Sequence, residues 1–177
     1  MKMLGMRLFI ASDLLTFAAL LVVYWALRSA TPEWPRPFSL LPGMGMTIVL
    51  LGSSLTMLWA VKAMGKQDRG RALRWLLATM AGGLAFIVLH LSEWRHLIAI
   101  EKITPGSGIF GSVFFGITGL HMAHVAAGLV YLAVLSTGVA RGKFSAEDVA
   151  TGGLYWHFVD LVWLFVFPLV YLTAVKP

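Results

Sequence analysis

The chain is 177 residues long, 59% hydrophobic and only 12% charged, with a mean hydropathy of +0.82. A soluble domain has about a quarter of its residues charged, so this composition needs lipid as solvent and excludes both a soluble globule and a disordered chain. Cysteine is absent, which excludes disulfides, Cys-ligated zinc and iron–sulfur clusters, and the +6 charge fits the cation bias of membrane-protein loops rather than nucleic-acid binding.

A helix crosses the hydrocarbon in about 20 residues. The first is expected at 6–28, where uncharged Leu14–Leu27 follows Asp13. Lys2 and Arg7 precede it as in a signal peptide. The apolar part is too long for one, holds Asp13 and lacks a small-residue cleavage site, so it reads as a span. The second is expected at 41–63 within uncharged Pro37–Val61, and the third at 73–95 around Trp75–Ser92. The next apolar stretch opens with Thr104-Pro105-Gly106-Ser107-Gly108, a loop, which leaves 109–138 for the fourth. The fifth, 152–175, runs through Asp160 and holds Pro168, which removes a backbone hydrogen bond and bends the helix. The fold class is all-α: one membrane domain over residues 1–177, a bundle of five transmembrane helices without internal repeats.

Orientation follows from Lys and Arg. Lys2, Arg7, Lys62, Lys66, Arg69, Arg71, Arg74, Arg141 and Lys143 fall on one side, and Arg28, Arg36, Arg95, Lys102 and Lys176 on the other. The richer side is expected inside, with the N-terminus inside and the C-terminus outside.

Ionisable groups within a bilayer are costly unless paired or hydrated, so each needs an account. At a rise of roughly 1.5 Å per residue, Asp13, His124, His157 and Asp160 fall at one inner level on three helices. His121 lies nearer the midplane, and His90 and Glu93 in the outer half. His157 and Asp160 are one turn apart and are expected to satisfy each other. The buried polar network His121, His124, His157 and Asp160 either pins helices one, four and five together or handles protons or a ligand. Asp13, inside an apolar helix with no basic residue one turn beyond it, is the candidate for proton chemistry. Glu93, the outer-side acid, is expected in an interfacial belt, neutralised by Arg95 beside Trp94. On the fourth helix Gly116, Gly119, Ala123 and Ala126 form a small face opposite His121, His124 and Gly128. A helix with both faces is expected to be buried on both, at the centre of the fold. Arg141 and Lys143 are candidates for anionic lipid headgroups.

His124 and His157, at similar depth on different helices, also pass the crude test for a bis-His haem, so a haem b quinol-oxidising anchor is one reading. A transporter is a poorer one, since interrupted helices and inverted repeats are missing. No nucleophile–base pair, metal-ligand set or other catalytic residue stands out.

The last helix reads Tyr155-Trp156-His157-Phe158-Val159-Asp160-Leu161-Val162-Trp163-Leu164-Phe165. The fourth carries Gly111-Ser112-Val113-Phe114-Phe115, Thr118-Gly119-Leu120-His121, His124-Val125 and Gly128. The third has Phe86 and Ser92-Glu93-Trp94. The second has Thr47, Leu50-Leu51 and Ser53-Ser54, and the first Gly5-Met6, Leu8-Phe9-Ile10 and Ser12-Asp13. In order and spacing these resemble subunit III of the haem-copper oxidases, the cytochrome c and quinol oxidases, in its short five-helix form. The departures are Asp13 where the family commonly has Glu, His90 where it has Gln, and Ala123 where it usually has Gly.

The resemblance implies an accessory, non-redox subunit of a respiratory terminal oxidase, in a bacterial-type inner membrane. It would bind no haem, copper or other metal itself. Its partners would be catalytic subunit I, subunit II, small subunits and structural phospholipid, and it would support oxygen reduction coupled to proton translocation. Asp13 would be the family's buried reactive acid, and His121, His124 and His157 structural rather than haem ligands. The accessory protein of nitric oxide reductases, which shares these helices, is the alternative within the family.

Overall fold

The structure, a computed structural model, describes residues 2–174. The helices are α1 (Lys2–Ala30), α2 (Leu40–Gly65), α3 (Arg69–Ala99), α4 (Gly108–Ala140) and α5 (Ala146–Val166), then a π-helical turn, Phe167–Tyr171, and a 3-10 turn, Leu172–Ala174. Five helical segments are long and apolar enough to cross a membrane, the last running through both turns.

Local chemistry sets the ends. Asp68 caps α3 by accepting from the Arg71 amide at 2.9 Å. Gly142, at φ +70°, closes α4, with its amide on the Val139 carbonyl at 3.0 Å. The largest boundary difference is at α5, which starts at Ala146 rather than 152. A capping box sets that start: Asp148 accepts from the Ser145 amide at 2.9 Å and its own amide donates to Ser145 Oγ. The expected end at 175, and Lys176, lie outside the described residues. Pro168 does more than bend the helix. It lies in the π turn, whose wider hydrogen-bonding register accommodates the missing N–H.

Helices α2, α3, α4 and α5 form a closed ring of neighbours, and α1 lies along the α4–α5 side. Trp156 of α5 fills the middle. A Cβ added to Gly83 of α3 would stand 2.6 Å from its ring, and one on Gly128 of α4 3.0 Å, so both glycines are there for close approach. The Trp156 indole donates to Ser53 Oγ at 3.1 Å, and that of Trp163 to Thr47 Oγ1 at 3.0 Å. Both hydroxyls spend their own protons on α2 carbonyls, which leaves a lone pair for each indole. The expectation of a fourth helix buried on both faces needs correcting. His121 and Gly128 are buried, but Gly116, Ala123 and Ala126 are exposed on this chain. The centre is shared by α4 and α5, and α1 is the least buried helix, with only Phe17 and Tyr24 fully covered.

The α1–α2 connection also belongs to the core. Trp34 and Phe38 are buried, and the Phe38 amide donates to the Ala174 carbonyl at 3.3 Å. Tyr24 and Arg28 of α1 donate to the carbonyls of Val170 and Thr173 at 3.3 and 3.1 Å. Irregular backbone at membrane depth leaves carbonyls without helical partners, and α1 supplies donors to two of them.

Candidate functional site: polar groups inside the helix bundle

Asp13 and His124 meet where α1 packs on α4. Asp13 Oδ2 lies 3.2 Å from His124 Nε2, close enough for an ion pair although not aligned as a hydrogen bond. The other ring nitrogen, Nδ1, is 2.8 Å from the Leu120 carbonyl. A carbonyl only accepts, so Nδ1 carries a proton. Phe17 covers the imidazole edge-on at 5.2 Å, and the Tyr155 hydroxyl donates to the His124 carbonyl at 3.0 Å. Both members are shielded yet not sealed, with side chains 13% and 17% exposed on this chain.

The other expected members of the inner level are not joined to this pair. His157 turns to α2, where Nδ1 pairs with Ser54 Oγ at 2.7 Å. Among the described residues no hydrogen bond links it to Asp160, against expectation. The serine of the neighbouring helix competes successfully for the imidazole, because residues one turn apart share a face without their polar atoms having to meet. Asp160 is buried with neither oxygen in a hydrogen bond of proper geometry. The Ser54 hydroxyl is the polar neighbour that bears on it. His121 stands apart as well, with its ring stacked on Trp163 at 5.3 Å and both nitrogens unbonded. The buried polar network expected of His121, His124, His157 and Asp160 is thus a set of separate contacts between different helix pairs.

Glu93 is buried rather than interfacial, and Arg95 does not neutralise it. Its carboxylate accepts from the Tyr171 hydroxyl at 2.6 Å and lines a cavity of about 260 Å³ with Phe38, Ser92 and His96. Arg141 and Lys143 are exposed at the α4–α5 turn. Among the described residues no group of three or more His, Cys, Asp or Glu could hold a metal ion.

Known proteins place this arrangement. The family model described as "Cytochrome c oxidase subunit III" matches residues 2–175. The chain belongs to the cytochrome c oxidase subunit III family. Cytochrome c oxidase subunit 3 of Alkalihalophilus pseudofirmus is 34% identical, over 98% of this chain and 87% of its own. That of Bacillus subtilis is 34% identical over 98% and 86%. Cytochrome bo(3) ubiquinol oxidase subunit 3 of Pseudomonas aeruginosa is 35% identical over 96% and 84%. As a subunit III this chain is an accessory component of a terminal oxidase.

Sequence reasoning missed two polar partners in this subunit III. Tyr171 counted only as aromatic surface that packs against neighbours and lipid, and Ser54 only as part of the family pattern. The signal for Tyr171 was Pro168, three residues earlier: the π turn it sits in sets the direction of everything after it.

Proposed function

We propose that the chain is the non-redox subunit III of a respiratory haem-copper oxidase in a bacterial inner membrane, with its N-terminus inside. Its partners are catalytic subunit I, subunit II and the smaller subunits. It stabilises subunit I while that subunit reduces oxygen and moves protons, and it binds no haem or copper of its own. The observation that carries the reading is how the membrane histidines are used. His124 faces Asp13 and the Leu120 carbonyl, and His157 pairs with Ser54, so the two rings that pass the crude haem test are each held by protein groups. Asp13 is its proton-handling acid, and Arg141 and Lys143 hold anionic lipid headgroups at the inner leaflet.

The test is to purify the complex through a tag on this chain, then record reduced-minus-oxidised spectra before and after stripping the partners away. Haem signal and oxygen consumption leave with the partners. Haem retained on this chain would overturn the reading. Within the intact complex, Asp13→Asn keeps the subunit in place but shortens the active lifetime during turnover. A wild-type lifetime would remove Asp13 from proton handling.

A further inference from the structure

His90 of α3 and His121 of α4 are both fully buried, and all four of their ring nitrogens lack a hydrogen-bond partner. The buried indole nitrogen of Trp94 lacks one too. Two rings contact both histidines. Phe86 is 5.5 Å from the His90 ring and 5.6 Å from that of His121, and Trp163 is 5.7 and 5.3 Å from them. Trp94 packs on His90 at 5.6 Å.

A neutral imidazole has one donor and one acceptor, so the pair presents two of each, and Trp94 a third donor. Each such group left bare in the interior costs about 1–3 kcal/mol, and polar groups without protein partners are the places where buried water sits. Water suits this set because it accepts from an imidazole N–H and donates to a bare ring nitrogen. The surroundings extend the pattern in both directions. His90 and Glu93 lie one turn apart on the same buried stripe of α3, and Glu93 lines the cavity shared with His96. His121 lies one turn from His124, which faces Asp13.

We propose that His90 and His121 hold shared buried water where α3 packs on α4. This inference rests on the unpartnered histidines and stands independently of the role given to Asp13.

Radiolytic hydroxyl-radical footprinting in ¹⁸O-water, read by mass spectrometry on the intact oxidase complex, tests it. Bulk solvent does not reach a buried side chain, so only structural water leaves label there. His90 and His121 are expected to take up label several-fold above Trp156, an equally buried ring whose nitrogen is already bonded to Ser53. Labelling of both at the Trp156 level means a dry site and overturns the proposal. In a His90→Leu complex, label at His121 falls at least twofold, while His90→Gln, which keeps a donor and an acceptor, retains it. Undiminished His121 label in His90→Leu would show that the two rings are not joined by water, which also overturns it. The wild-type measurement decides the hydration even where a variant fails to assemble.

Discussion

Tyr171 and Glu93 form the most consequential single contact, a buried hydroxyl on a carboxylate at 2.6 Å. Losing one partner of a buried hydrogen bond leaves the other bare, at a cost of about 1–3 kcal/mol. Tyr171→Phe is therefore expected to lower complex stability by about 1–3 kcal/mol, read as a lower thermal midpoint. Glu93→Gln should cost less, because its amide oxygen still accepts from the hydroxyl. Equal losses for the two variants would mean that packing around Tyr171, not the hydrogen bond, is what matters. Such pairs were only half legible in the sequence. Residue rise fixes depth, which put Asp13 and His124 at one level, and the structure sets them 3.2 Å apart. Rotation about the helix axis is not fixed by depth. That is why His157 was assigned to Asp160 rather than to Ser54, and Glu93 to Arg95 rather than to Tyr171.

Among the elements, the five helices were legible because lipid demands long apolar runs and the capping residues are local signals. The π turn was not, since only bundle packing selects it over a simple kink at Pro168. Pro168→Ala restores the N–H and lets the segment relax toward an α-helix, which turns Tyr171 away from Glu93. Its thermal midpoint should fall toward that of Tyr171→Phe, and the double variant should lose little more. Full additivity would disconnect the turn from the contact. Gly83→Ala tests close packing in the same way. A methyl group there meets Trp156 and Leu129 at 2.6 and 2.9 Å, and overpacking of this kind costs about 1–3 kcal/mol. At Gly45, where no atom lies within 4 Å, the same change should leave the fold of the chain unaltered.

For the molecule as a whole, topology is the property that charge alone predicts. The chain has no cysteine, so a single one can report its sidedness. In sealed inside-out vesicles, an impermeant maleimide should label Lys66→Cys, in the turn between α2 and α3, and spare Lys102→Cys, beyond α3. The opposite pattern would invert the topology. The layout of the bundle also has a consequence for its birth. Asp13 belongs to the first helix, and the imidazole facing it belongs to the fourth. A ribosome delivers α1 to the membrane before His124, three helices later, has been made. During that interval the acid sits in lipid with no partner, at a cost of about 2.5–3.5 kcal/mol near a helix centre. The apolar residues that leave α1 so exposed in the finished bundle are the same ones that keep it inserted while it waits. The first helix is thus composed for the solitary nascent chain as much as for the assembled protein.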